Sequence, residues 1–238
     1  MSALASPVAP SAARSLAAGR TRRQPAAPLR RRDLEVLRFA AEQYAIRLDQ
    51  LEVLLGRQTR TTERLARALR LQGLARVERL LLDEPPWLWP TAAGIRVCQA
   101  GFRPRTPNLA LIHHVAAVNE VRLRIAQRSP HSRWTCERVL ARELERGAHL
   151  PDAVVETGGQ RHAIEVELTP KSSSRVELAL AELSRRYDAV LYFTTSATRA
   201  QLERLGGTER WPKLGLRALP ALSRTAHAQQ PPATDVAA

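Results

Sequence analysis

HLPDAVVETGGQRHAIEVELTPKSSSR, from His149 to Arg175, is the stretch whose reading decides the fold of this chain. Ala153 to Glu156 is a short β-prone run, Thr157-Gly158-Gly159-Gln160 has the residues of a tight turn, and Arg161 to Thr169 is a second β-prone run. The pattern predicts a β-hairpin. Along its second strand Ile164, Val166 and Leu168 alternate with Glu165 and Glu167. Strand side chains point alternately to opposite faces, so the two carboxylates share one face and the aliphatics the other. Asp152, directly after Pro151, stands where the hairpin opens, and pairing across the turn brings it toward Glu165. Two carboxylates meeting there repel unless a proton or a cation intervenes, and Mg²⁺ suits oxygen ligands. The plainer alternative is a half-buried strand whose glutamates face water.

The chain around this stretch has 238 residues, room for one large or two small domains. No apolar run approaches the roughly 20 residues of a membrane span. The first residues lack the apolar core of a secretory signal, so a cytoplasmic location without a membrane partner is expected. Net charge is +14 and unevenly spread. Residues 1–110 hold 19 Arg against 9 Asp and Glu, whereas residues 111–238 hold 18 Lys and Arg against 14. A basic N-terminal half points to phosphate backbones, and double-stranded DNA is the expected partner. Cys98 and Cys136 lie far apart with no metal-ligand spacing, and read as small buried hydrophobes.

Residues 1–29, rich in Ala, Ser, Pro and Arg, read as a disordered basic arm. Helical spacing begins at Arg30. Leu34, Leu37 and Ala41, with Val36 and Ala40 beside them, form one stripe behind Asp33. A second short helix covers LDQLEVLLG, burying Leu48, Leu51, Val53, Leu54 and Leu55 and ending at Gly56. A third runs from Thr61 to Leu71, packing Leu65, Ala68, Leu69 and Leu71, with Arg60, Arg64, Arg67 and Arg70 on the opposite face. LARVERLLL then reads as a strand, Asp83-Glu84-Pro85-Pro86 as a turn, Trp87-Leu88-Trp89 as the returning strand, and Thr91 to Ala100 as a closing helix. Three helices and a two-stranded ribbon over residues 30–100 resemble a winged helix-turn-helix, in which the third helix enters the major groove. Arg57, Arg60, Arg64, Arg67 and Arg70 are then the expected phosphate and base contacts, with Gln58, Thr59, Thr61 and Thr62 at the helix start in reach of bases. The alternative is a solvated arginine face.

Residues 101–107, GFRPRTP, read as a linker, and residues 108–222 as a second domain. Its first helix, from Asn108 to Gln127, buries Leu111, Val115, Val118 and Ile125 and carries His113, Ala117, Glu120 and Arg124 along another face. His113 and His114, adjacent in sequence, point in two directions and are read as capping or surface residues. A strand at Trp134 to Glu137 and a short helix at Val139 to Arg146 precede the hairpin. A helix capped by Ser172-Ser173-Ser174 follows, then the inner strand AVLYFT (Ala189 to Thr194), a helix from Ala197 to Leu205 and an edge strand from Leu214 to Leu219. Residues 223–238 read as a disordered tail. A relaxase using tyrosine or histidine chemistry finds little support: there is no His-hydrophobe-His triad, and Tyr44, Tyr187 and Tyr192 fall in elements expected to pack.

Pro151-Asp152, a hairpin, then Glu165-Val166-Glu167 resembles the core motif of the PD-(D/E)XK nuclease superfamily. The wider pattern PDAVVE…IEVELTPKSSSR, followed by a helix and VLYFT, is similar to the replication-relaxation family of bacterial plasmids and mobile elements, over roughly residues 30 to 195. The resemblance implies an α+β chain: a winged helix-turn-helix domain followed by an α/β PD-(D/E)XK-like (restriction-endonuclease-like) domain, acting in plasmid or mobile-element replication or mobilisation. It implies that Asp152 and Glu165 hold Mg²⁺, which would polarise the scissile phosphate and lower the pKa of the attacking water. Glu120, on the first core helix, matches a third acidic position. One position departs from the pattern: Glu167 stands where the superfamily usually has Lys. Glu167 would then orient or deprotonate the water, and Lys171 could supply the ammonium from four residues on. The departure equally suits a second expectation, a non-catalytic transcriptional or copy-number regulator with a degenerate nuclease-like domain. A homodimer is compatible with either.

Overall fold

Apolar spacing sets the first element, α1 (Arg31–Glu42), which buries Val36, Leu37, Phe39, Ala40 and Ala41 while Asp33 accepts a 2.9 Å hydrogen bond from the Arg30 backbone N–H. The structure, a computed structural model, describes residues 28–220 apart from Arg146. Nearly all of the expected basic arm, and the whole expected tail, lie outside the described residues. The chain is mixed α+β. After α1 come β1 (Ile46–Arg47), α2 (Leu48–Leu55), α3 (Thr59–Leu71), β2 (Ala75–Glu78), β3 (Trp87–Pro90) and α4 (Ala92–Val97).

Gly56 ends α2 with φ +56°, a left-handed conformation that glycine adopts without strain. In α3 the buried positions are Thr62, Leu65, Ala66 and Leu69. These follow the i, i+3, i+4, i+7 phase of a single face. Ala68 and Leu71, expected to pack, lie off that phase and are exposed, Leu71 by 69%. The three strands form an antiparallel sheet in the order β1-β3-β2. The two-residue β1 was not expected from the sequence. The ribbon is also shorter than expected, because β2 stops at Glu78. Leu80 and Leu81 turn inward to pack with Trp87, Trp89, Ile112 and Ala116, and only Leu82 stands out at the tip, 85% exposed.

The second half runs α5 (Ile112–Arg128), β4 (Arg133–Cys136), α6 (Glu137–Glu143), β5 (Ala153–Thr157), β6 (Gln160–Glu167), α7 (Ser173–Arg186), β7 (Ala189–Thr194), α8 (Ser196–Arg204), α9 (Gly207–Arg210) and β8 (Leu214–Ala218). Its five strands lie in chain order, β4 through β6 antiparallel and β6 through β8 parallel. The hairpin forms where expected, with Gly158 and Gly159 at φ +56° and +77° in a two-residue turn between Thr157 and Gln160.

Both faces of this sheet are covered. On one, Val118 and Val121 of α5 pack on Ala153, Val155, Ile164, Val166 and Phe193. On the other, Val176, Leu180 and Leu183 of α7 pack on Val154, Ala163, Val190 and Tyr192. Each fully buried aliphatic here contributes about 1.5–3 kcal/mol. The reading of glutamates facing water therefore fails: α7 closes over that face, leaving Glu165 and Glu167 only 5% and 8% exposed.

The two halves share a polar seam. The Gln50 side-chain amide donates to the Ala116 carbonyl at 2.7 Å, and Asn119 donates to the Ala45 carbonyl at 2.9 Å and to Gln50. Arg122 pairs with Glu42 at 2.6 Å and lies over Phe39. Within the expected linker Phe102 is buried with Ala41, Ile95 and Cys136. Cys98 and Cys136 are buried free thiols. Among the described residues no helix is long and apolar enough to cross a membrane.

Candidate functional site

The hairpin and α7 enclose a cavity of about 480 Å³ whose polar lining includes His149, Glu165, Glu167, Lys171, Glu182 and Tyr192. Strand alternation delivers Glu165 and Glu167 to it, as the sequence requires. Tyr192 reaches it because parallel pairing sets it beside Glu165. Burial pushes the Glu165 carboxyl up to about 7, and the nearby Asp152 charge adds to that effect. Burial and the neighbouring Glu165, Glu167 and Asp152 charges likewise push the Tyr192 phenol up, which keeps it protonated.

Two basic side chains answer these carboxylates. Lys171 Nζ lies 2.7 Å from Glu167 Oε2. Burial alone would lower its pKa, but the bond to Glu167 and the charges of Glu167, Glu165 and Asp152 outweigh it and hold the ammonium up. Lys171 thus sets an ammonium beside Glu167 from six residues after Glu165. His149 Nε2 lies 3.0 Å from Glu165 Oε1, and this hydrogen bond raises the imidazole above its ordinary value against the effect of burial. The histidine is held through its backbone: its N–H donates to Glu182 at 2.8 Å, its carbonyl accepts from Arg186, and Arg186 pairs with Glu182 at 2.9 Å.

Asp152 faces elsewhere. Its Oδ2 accepts a 2.7 Å bond from the Val166 N–H, and its Oδ1 meets His114 Nε2 at 2.8 Å. It lines a separate cavity of about 30 Å³ with Gln43, Tyr44, His114 and Glu137. Burial lowers the His114 pKa, but the hydrogen bond and charge of Asp152 outweigh it and leave the imidazole raised. His114, read from sequence as a cap or surface residue, is instead the residue that α5 contributes. Its signal was its spacing: Val118 and Val121 follow at i+4 and i+7 and carry that face onto the sheet. His113 points the other way, 3.6 Å from Glu84.

Glu120 does not join the acidic group. It lies about one and two-thirds helical turns beyond His114, so it faces α2 instead. Burial raises its pKa, opposed by Arg124, by a hydrogen bond from Gln50 and by Arg47. Asp152 and Glu165 act on each other electrostatically but are held by different partners. Among the described residues no group of three or more His, Cys, Asp or Glu side chains is placed to hold one metal ion. The donors fit Mg²⁺ only in its sparser mode, with one or two carboxylates and the remaining positions filled by water. Tyr44, expected in a packed element, sits instead at φ +68° in the turn before β1, its hydroxyl donating to Glu137 at 3.1 Å.

The other candidate surface is the outer face of α3. Arg57, Gln58, Thr59, Arg60, Thr61, Arg64, Arg67 and Arg70 are all exposed, whereas Thr62 is fully buried and leaves the set of base-reaching side chains. Arg60, Arg64 and Arg67 follow i, i+4, i+7 spacing and share one stripe. Among the described residues none of the five guanidiniums forms an ion pair. No protein-family profile, no curated protein and no solved structure matches the chain.

Proposed function

We propose that this chain is a double-stranded DNA-binding protein of the replication-relaxation type, built as a winged helix joined to a PD-(D/E)XK-like domain. The observation that carries the reading is α3 and the turn before it: four exposed guanidiniums on the helix, Arg60, Arg64, Arg67 and Arg70, with Arg57 just ahead of it, none in an ion pair among the described residues. A strip of unpaired arginines suits the major groove and its phosphate edges. The order of β1-α2-α3-β2-β3 supports the winged-helix reading, since it sets α3 outward beside a two-stranded ribbon. Duplex affinity that falls steeply with salt, with a slope reduced by Arg64→Ala and Arg67→Ala, is the expected outcome. A flat salt dependence in the wild type overturns it.

The acidic cavity supports a second activity on the same substrate, strand scission. Asp152, which lines the separate small cavity, would have to leave His114 to hold Mg²⁺ together with Glu165; the ion when bound would supply Lewis-acid polarisation of a phosphate. Glu167 orients the attacking water by accepting a hydrogen bond from it. Lys171, across 2.7 Å, holds the Glu167 carboxylate in place for that task and offers its ammonium to the developing charge on phosphate. Nicking of supercoiled plasmid by the wild type with Mg²⁺, and none by Asp152→Ala, is the expected result. A specific feature favours the non-catalytic alternative: His114, His149 and the Val166 N–H already occupy three of the four oxygens of Asp152 and Glu165. On that reading the second domain is a scaffold for a regulator, and neither Mg²⁺ nor Mn²⁺ gives a calorimetric binding signal.

A further inference from the structure

A second group of arginines lies where the two halves meet. Arg138 and Arg142 of α6 both rest over the ring of Phe102, with guanidinium carbons 4.3 and 4.6 Å from its centroid. Each also fixes the segment between the halves: Arg138 donates to the carbonyls of Ala41 and Arg103, and Arg142 to the carbonyl of Gly101. The segment thus held carries two more arginines, Arg103 and Arg105, both exposed. Burial and the charges of Arg105 and Arg142 push the Arg138 pKa down. Among the described residues none of the four forms an ion pair. Glu137, next along the helix, is turned away onto the Tyr44 hydroxyl. Holding like charges together in the absence of a counter-charge costs free energy, which an arriving anion would recover.

The place of this group says which anion. Glu137 and Tyr44 line the small cavity that holds Asp152, and Arg138 lies 4.9 Å over the Tyr44 ring, so this end of the group borders that cavity. We propose that Arg103, Arg105, Arg138 and Arg142 form a second phosphate-binding surface, which holds the duplex backbone beside Asp152 after α3 has docked. The inference rests on the DNA-binding reading and adds to it a contact outside the recognition helix. Arg138 and Arg142 are anchored and set the path of the segment, while Arg103 and Arg105 project from it and make the flexible contacts.

The test uses the whole chain and a fluorescent 30-base-pair duplex, with affinity measured across a salt series. Arg103→Ala combined with Arg105→Ala lowers the slope of log affinity against log salt by up to about 2, since each phosphate contact contributes about 0.9. At fixed salt the affinity falls on the order of 10-fold. Both side chains are exposed, so the melting temperature stays at the wild-type value, and the corresponding double Lys variant restores most of the slope because a phosphate accepts either cation. A double Ala variant with the wild-type slope, alongside Arg64→Ala and Arg67→Ala that do reduce it, overturns this inference and leaves the reader helix standing. A wild-type chain that does not bind duplex overturns both.

Discussion

Helix α3 and strand β6 handle charge in opposite ways. On α3 the guanidiniums stand in water and, among the described residues, none forms an ion pair, not even with Glu63 of the same helix. On β6 the two carboxyl groups are buried, and each meets its own basic partner, Glu165 with His149 and Glu167 with Lys171. An exposed charge is already solvated, so leaving it unpaired costs the fold little. A buried charge must be answered by the fold itself. Substitutions on α3 should therefore change binding and spare stability, and substitutions around β6 should do the reverse.

The largest expected effect is on α3. Arg64→Ala with Arg67→Ala weakens duplex binding on the order of 100-fold and lowers the salt slope by about 2, with the melting temperature unchanged. Anisotropy titrations across salt measure the first, and a thermal melt the second. A stability loss matching the affinity loss would erase the contrast between the two regions.

The next effect is on the acidic side. His149→Ala leaves Glu165 buried without its donor, and loss of a partner at such a site costs about 1–3 kcal/mol. Urea melts should show it, with duplex affinity through α3 preserved. His149→Gln, which retains a donor, should recover part of the loss. Equal stability of the Ala variant and the wild type would mean that Glu165 does not depend on His149.

The pH dependence sharpens the same contrast. Folding raises the Glu165 pKa to about 7 from an unfolded value near 4.5. Between those values the folded chain binds a proton that the unfolded chain does not, so stability falls as pH rises through that window. His114 and His149 are raised as well. Their contribution is complete below the unfolded value of 6.5 and is lost as pH climbs through the higher folded value. Glu165 and His149 share one hydrogen bond and titrate as a pair, the pair acts in the same direction as His114, and the melting temperature should decline from about pH 5 to pH 8. Glu165→Gln, which cannot ionise, should flatten the lower part of that decline. A melting temperature that rises over this range would reverse the sign assigned to Glu165.

The parts of this contrast that could be read in the sequence were those written in short periods. The hairpin was visible because Gly-Gly and strict alternation occur within a dozen residues, and the α3 stripe because Arg60, Arg64 and Arg67 repeat at helical spacing. The partners were not visible. His149 lies in a loop with no period, 16 residues from Glu165, and only the closure of α7 brings Glu182 and Arg186 to hold it. Glu120 was misplaced because a carboxylate on the right helix is easily assigned to the wrong side of it. The face of α5 is set by Val118 and Val121, which point His114, and not Glu120, at the sheet. The two-residue β1 carries too few positions to show any alternation.

The smallest expected effect tests whether ion pairing as such explains the acidic side. Arg199 and Glu203 on α8 form a 3.0 Å pair, as close as that of His149 and Glu165, but their side chains are 46% and 54% exposed. An exposed i, i+4 pair contributes only about 0.3–0.5 kcal/mol. Arg199→Ala should therefore shift the urea midpoint barely beyond error, and the shift should shrink further in 0.5 M salt, where exposed charges are screened. Arg199 also removes one positive charge without touching α3, so the salt slope of duplex binding should stay at the wild-type value. If Arg199→Ala destabilised the fold as much as His149→Ala, burial would not be what separates the two regions.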